Sequence, residues 1–236
     1  MSKTFVLIHG TWHGGWAWNA VARELSRSGH YPHAPTMAGH GPNTHRAGIT
    51  HKDCVDSVSA YIRHHELKDL ILLGHSFGGS VVQKVAEQLS DCIRSVVFLD
   101  ALILADGQCV FDNLPPEYVA AFNDLASSSA NNTMLIPWEI WRDNFMQDAP
   151  ESVARSIWEQ LTPEPNQVNL DKIDLKRFYS LWRSACWRLN ITTKRSPIPS
   201  SGDLHGRTSQ LYYESWAIPW QMLPRKYVTE HMKRST

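Results

Sequence analysis

No charge of one sign dominates this chain. Its 236 residues carry 23 Lys+Arg against 23 Asp+Glu, which removes any global electrostatic case for nucleic acid or an anionic membrane as partner. Cysteine is scarce too. Cys54, Cys92, Cys109 and Cys186 are far apart, with no Cys-x-x-Cys pair, so neither a zinc site nor a disulfide framework is indicated. Long hydrophobic runs are missing. The N-terminal stretch has four consecutive apolar residues, Phe5-Val-Leu-Ile8, too few for a signal-peptide core, and no later run approaches the roughly 18 needed to span a bilayer. A soluble, cytoplasmic protein is expected, with a length that suits one α/β domain burying a large core.

The neutral total conceals an uneven distribution. Residues 1–181 hold 14 Lys+Arg and 20 Asp+Glu, whereas residues 182–236 hold 9 and 3. An acidic body is joined to a basic end.

What is present begins with rhythm. Phe5-Val-Leu-Ile8, Leu70-Ile-Leu-Leu73 and Val96-Val-Phe-Leu99 are continuous apolar runs and read as strands buried on both faces. Between them, residues 16–28 and 51–65 have helical spacing, and Val81, Val82, Val85, Ala86 and Leu89 form a helical stripe. This alternation predicts right-handed crossovers and a parallel sheet with helices on both faces, which places ligands at the carboxyl ends of the strands. From about 104 the pattern changes. Prolines 115, 116, 137, 150, 163 and 165 punctuate three predicted helices near 117–126, 138–146 and 150–161, a helical insertion rather than further sheet. Trp138, Trp141, Phe145 and Trp158 give it apolar surface to line a substrate cavity or to pack onto the body.

Two loops carry the chemistry. Gly74-His-Ser-Phe-Gly78 follows one apolar strand and opens a helix at Gly79, the context that Gly-x-Ser-x-Gly requires: the serine occupies a tight strand-to-helix turn where only small neighbours avoid collision. Its hydroxyl then stands at the positive end of a helix. His9-Gly-Thr-Trp-His-Gly-Gly-Trp16 follows another apolar strand and precedes another helix, where a second oxyanion donor is supplied in such enzymes. The backbone amides of Thr11 and Phe77 are the candidate pair, and His9, His13 and His75 are assigned to loop hydrogen bonding.

With HGTWHGGWAW at 9–18, GHSFGG at 74–79 and Val97-Phe-Leu-Asp-Ala101 followed by Asp106-Gly107, the chain resembles the α/β-hydrolase superfamily, specifically the small esterases related to plant methyl-ester esterases and hydroxynitrile lyases. The similarity runs over residues 3 to about 180 and includes the segment from Thr44-His45 to Asp53. It implies an α/β-hydrolase fold, a mostly parallel sheet flanked by helices with a helical cap over about 104–180, in a single domain spanning 1–236. It also implies a carboxylesterase-type enzyme with a Ser-Asp-His triad, no metal and no organic cofactor. Ser76 is then the nucleophile, the partner is a small-molecule ester, and a homodimer is compatible. Retained Gly10, and Met232 after His231, resemble the esterases; the related lyases carry threonine and lysine there.

Acid and base are less clearly marked. In this fold they follow the nucleophile, in the order acid then histidine. His205 and His231 are the histidines beyond the cap, and Asp203, Glu214 and Glu230 the acids. Asp203 and His231 are nominated on family-like spacing, with Asp100 and His205 as alternatives. Residues 182–202 contain no four-residue apolar run, so no buried strand is expected before Asp203. A second hypothesis follows: an α/β-hydrolase body whose end has been replaced, by a frameshift or unspliced sequence, with no complete triad. A third is a receptor-like binding module. Arg225-Lys226 and Lys233-Arg234, near Trp216, Trp220 and Tyr227, mix cations and aromatics as single-strand binders do, but without a recognition fold they read as a solvated tail.

Overall fold

The computed structural model describes residues 1–181 and the backbone of a strand at 186–189. Among these residues the strands are β1 (Thr4–Ile8), β2 (Tyr31–His33), β3 (Leu70–Ser76), β4 (Ile93–Ala101), β5 (Thr133–Met134), β6 (Glu164–Pro165) and β7 (Cys186–Leu189). The helices are α1 (Asn19–Arg27), α2 (His51–His64), α3 (Gly78–Gln88), α4 (Pro116–Ser127), α5 (Trp138–Asn144), α6 (Glu151–Trp158), α7 (Gln167–Leu170) and α8 (Phe178–Leu181).

Five strands form one sheet in the order β2-β1-β3-β4-β7, parallel throughout. The continuous apolar runs are explained by alternation across it. Phe5, Leu7, Ile71, Leu73, Val97 and Leu99 join one core with Trp18, Val21 and Leu25 of the α1 side. Their neighbours Val6, Ile8, Leu70, Leu72, Val96 and Phe98 join a larger core with Cys54, Val55, Val58 and Ile62 of α2 and Val81, Val82, Val85 and Ala86 of α3. Successive side chains of a strand point to opposite faces, so a strand covered on both sides must be apolar at every position. Each such Val, Leu or Ile contributes about 1.5–3 kcal/mol on burial.

Two strands of this sheet lie outside the sequence expectation. Tyr31-Pro32-His33 pairs with β1 at one edge of the sheet, where the missing amide of proline is tolerated. The segment 182–202, expected to hold no strand, contributes β7, which pairs Val96 to Leu99 with Cys186 to Leu189. Its sequence, Cys-Trp-Arg-Leu, breaks the apolar run with arginine, and backbone pairing along the open side of β4 sets it rather than a run of branched side chains.

The segment between β4 and β7 is helical, as expected, but also carries sheet: β5 and β6 pair antiparallel, Thr133 with Pro165 and Met134 with Glu164. Trp141 is buried and donates from Nε1 to Ala154 O; Trp158 donates to Ile136 O. Trp138 and Trp158 meet edge to face, and Trp141 stacks on Phe145. Much of this aromatic surface is therefore spent within the segment. No helix among the described residues is long and apolar enough to cross a membrane.

Candidate active site

The carboxyl ends of β1, β3 and β4 meet at Ser76. This residue ends β3 and has φ +50, the left-handed region that a non-glycine residue rarely occupies. The strand cannot continue through such a turn, and α3 starts two residues later. Close approach enforces the geometry. A Cβ on Gly78 would lie 2.5 Å from His9 O, and one on Gly10 would lie 2.9 Å from the Ser76 Cβ. The post-β1 loop and the strand-to-helix turn thus touch through atoms that leave no room for a methyl group.

Two peptide units at this junction have their carbonyls tied down. In a trans peptide the C=O and N–H point in opposite directions, so fixing one aims the other. Ser76 O accepts from Leu102 N–H at 3.0 Å, which aims the Phe77 N–H. Gly10 O accepts from His9 Nδ1–H at 2.9 Å, with His13 N–H also near at 3.3 Å, which aims the Thr11 N–H. Met37 N–H donates to His9 Nε2 at 3.1 Å, so the proton of His9 sits on Nδ1. Among the described residues neither the Thr11 nor the Phe77 N–H is used in a hydrogen bond to protein, while their surroundings are well supplied with bonds. Two rigid amides of this kind can stabilise an oxygen that becomes anionic.

The buried histidines around the junction stay neutral. Burial holds His9 well below its ordinary value and lowers His13 to about 4; His13 Nδ1–H donates to Thr11 O at 2.7 Å. Burial, with His13 nearby, takes His75 to about 3. His51 is lowered to about 4 by burial and donates from Nε2 to Ser80 Oγ at 2.9 Å. Ser80 Oγ–H in turn donates to Phe77 O at 2.8 Å, so a relay of two side chains holds the far side of Phe77. The expected role of His9 and His13 in loop hydrogen bonding agrees with these contacts.

His40 is the exception. Its Nδ1 lies 2.9 Å from Ala38 O and its Nε2 2.8 Å from Glu164 Oε2. Both partners are acceptors, so both ring nitrogens carry protons and the ring is an imidazolium. Burial opposes that charge most strongly, but the Glu164 carboxylate, with hydrogen bonding to Cys54 and Glu164, outweighs it and holds His40 well above its ordinary value. Neither side chain of this ion pair is exposed. Sequence reasoning passed over both residues, because 124 positions separate them and neither stands in a motif.

Asp100 occupies the position after β4's apolar run. It has φ +43 and falls where the β3–β4 register slips, between His75 paired with Leu99 and Ser76 paired with Ala101. This bulge sets a half-buried carboxyl whose burial raises it to about 7, poorly suited to a group that must stay anionic. Asp203, His205 and His231 lie outside the described residues. Ser76 and the residues Thr11 and Phe77 lie at the one junction between the post-β1 loop and the turn after β3. Among the described residues, no cluster of three or more His, Cys, Asp or Glu is arranged to hold a metal ion.

Residues 5–229 match the alpha/beta hydrolase family. The carbendazim hydrolyzing esterase of Nocardioides sp. (strain SG-4G) is 40% identical over 124 residues, 50% of this chain and 51% of that protein. Esterase PIR7B of Oryza sativa subsp. japonica is 32% identical over 112 residues, 45% of this chain and 41% of that protein. The chain thus spans about half or less of the length of these curated relatives. Among solved structures, an extracellular alpha/beta-hydrolase from a Paenibacillus species, described as sharing structural and functional homology with tobacco salicylic acid binding protein 2, is 42% identical. That match covers 80% of this chain and 77% of the other, with a TM-score of 0.77. The chain belongs to the alpha/beta hydrolase family and has its fold.

Proposed function

We propose that this chain is a serine hydrolase that cleaves a small carboxylic ester through an acyl-enzyme intermediate. The observation that carries the reading is the junction itself: Ser76 at φ +50 between β3 and α3, flanked by two amides whose carbonyls are pinned from behind. Relatives named as esterases support the reaction class.

In the proposed reaction Ser76 Oγ attacks the ester carbonyl carbon and gives its proton to a histidine, for which His231 is nominated. The carbonyl oxygen becomes anionic and takes hydrogen bonds from the Thr11 and Phe77 amides. Removing one such donor typically costs about 3 kcal/mol of transition-state stabilisation. As the C–O bond breaks, the histidine returns the proton to the departing alcohol, leaving the acyl group on Ser76. Water then attacks that ester, the histidine takes its proton, and Oγ leaves protonated with release of the acid. Asp203 is nominated to hold the imidazole in the required tautomer. No step needs a metal or organic cofactor, and no macromolecular partner is required. The segment between β4 and β7 would act as the cap over the site, with any aromatic surface it leaves free favouring apolar groups on the substrate.

A hydroxynitrile lyase is the nearest competing reading. The glycine retained at position 10 supports the esterase, since the related lyases resemble this chain but carry threonine at that place.

Hydrolysis of p-nitrophenyl butyrate by the purified chain tests the reading. Turnover that Ser76→Ala abolishes is expected, and a folded chain with neither burst nor turnover would sink it. His231→Ala compared with His205→Ala then identifies the base; a 231 variant with full activity would remove His231 from the assignment.

A further inference from the structure

The loop that carries the Thr11 amide is held by its own histidines and by groups from distant parts of the chain. Consider the two peptide units that flank the Thr11 Cα. Gly10 O is bonded to His9, Thr11 O to His13, and Trp12 N–H to Glu164 Oε2 at 2.9 Å. Of the four polar groups on these two units, only the Thr11 N–H is left for a ligand among the described residues. Trp12 itself stands at φ +65, a conformation that a bulky residue adopts only when its surroundings over-determine it. Those surroundings are β6 and its approach. Thr162 N–H donates to Trp12 O at 2.9 Å, Glu164 accepts the Trp12 N–H, and the indole Nε1 donates to Met134 O of the paired strand β5 at 3.2 Å.

Glu164 is in turn fixed by His40, which stacks on Phe77 with ring centroids 6.1 Å apart and meets His9 edge-on at 5.0 Å. The ion pair therefore touches both amide-bearing loops: one through the Phe77 ring, the other through Trp12 N–H and His9. Arg46 adds positive charge near Glu164 and donates from Nε to Pro163 O at 2.9 Å, so it braces the same strand. A carboxylate and an imidazolium are costly to bury, and a neutral acceptor would satisfy a backbone amide equally well. What the pair supplies beyond acceptance is a fixed direction, since a charged donor and acceptor at 2.8 Å tolerate little displacement.

We propose that Glu164, held by His40, is a positioning residue for ester cleavage at Ser76: it locks the left-handed turn at Trp12 and so keeps the Thr11 amide aimed at the developing oxyanion. This rests on the hydrolase reading given above, with the acid, base and nucleophile unchanged. It also makes the segment between β4 and β7 part of the catalytic scaffold, because Glu164 lies on β6.

The test compares Glu164→Ala, Glu164→Gln and the double variant His40→Phe/Glu164→Leu in the full chain, with active serine counted by titration and kcat and KM measured on p-nitrophenyl butyrate. The double variant replaces the pair by apolar groups, which proteins often accept without loss of folding. Glu164→Ala and the double variant are expected to lose about tenfold to hundredfold in kcat per titrated serine, with KM within about twofold, as for a misaimed donor. Glu164→Gln keeps an acceptor for Trp12 N–H but loses the charge that fixes its direction, and should recover only part of the loss. In ¹⁵N-labelled protein the Trp12 amide should exchange at least about tenfold faster in the double variant, with the β3 amides unaffected. A purely structural role would lower the yield of titratable enzyme and leave kcat unchanged. An unchanged kcat in the folded double variant overturns the proposal while leaving the hydrolase reading intact. A wild-type chain without turnover overturns that reading, and with it the catalytic meaning of the clamp.

Discussion

The two loops that meet at Ser76 are held by different physics. At the strand-to-helix turn the constraint is steric: β3 pairs with β1 and, through a register shift at His75/Ser76, with β4, and Gly78 packs against His9 O with no space for a Cβ. After β1 the constraint is polar: His9 and His13 hold Gly10 and Thr11 from within the loop, and Glu164, paired with His40, holds Trp12 from a distant strand. Steric locks are indifferent to pH and salt, whereas hydrogen bonds from neutral and charged imidazoles depend on protonation. The same junction should therefore fail in two distinguishable ways.

The largest expected effect attacks the steric side. Gly78→Ala places a methyl group where a backbone carbonyl now sits, so α3 or the post-β1 loop must shift. Overpacking of this kind costs about 1–3 kcal/mol or more, and ester turnover should fall at least a hundredfold; thermal unfolding and kcat together check it. A fully active, equally stable variant would show that the close approach is dispensable.

Acid probes the polar side. His13 and His51 are held at about 4 and His75 at about 3, all by burial first. Their folded values lie below the unfolded value of about 6.5, so between those limits the unfolded chain binds more protons and stability must drop as pH falls. Each group contributes a slope of about 1.4 kcal/mol per pH unit in that window. Urea midpoints measured from about pH 7 to about pH 4.5 should decline steeply; a flat profile would contradict neutral burial of these rings. His40 behaves oppositely. Its raised value gives stability that is full below about 6.5 and is lost only as pH rises through that higher folded value, so alkaline loss should persist in His51→Ala and vanish in the His40→Phe/Glu164→Leu pair.

A smaller change sharpens the relay behind Phe77. Ser80→Ala removes the hydroxyl that bonds Phe77 O and leaves the His51 Nε2–H buried without its acceptor. A loss of about 1–3 kcal/mol is expected, read as a shift in the denaturation midpoint, with a severalfold fall in kcat if the relay aims the Phe77 amide. The smallest effect is expected at Asp100. A carboxyl raised to about 7 by burial is only partly ionised near neutrality, so Asp100→Asn should change kcat by less than about threefold while Asp203→Asn costs far more. The reverse order would move the triad acid to β4.

Local features were readable in the sequence and distant ones were not. The apolar runs from Leu70 to Leu73 and from Val96 to Leu99 announced strands covered on both faces, and Gly74 to Gly79 announced the turn, because each is written in the residue types of the motif itself. Tyr31–His33 escaped because three residues with a central proline show no alternation, and Cys186–Leu189 because an arginine interrupts it. The His40–Glu164 pair was invisible for a different reason. Its meaning lies wholly in a fold that brings β6 to the loop after β1, and no spacing rule links positions 124 residues apart.

Covalent trapping of the nucleophile tests the central claim most directly. The intact chain is incubated with a fluorophosphonate, and its mass and tryptic peptides are measured. One adduct per chain, located on Ser76 and absent from Ser76→Ala, is the result predicted by a serine set at φ +50 between two aimed amides. A folded chain that remains unlabelled, or is labelled at another residue, would contradict it.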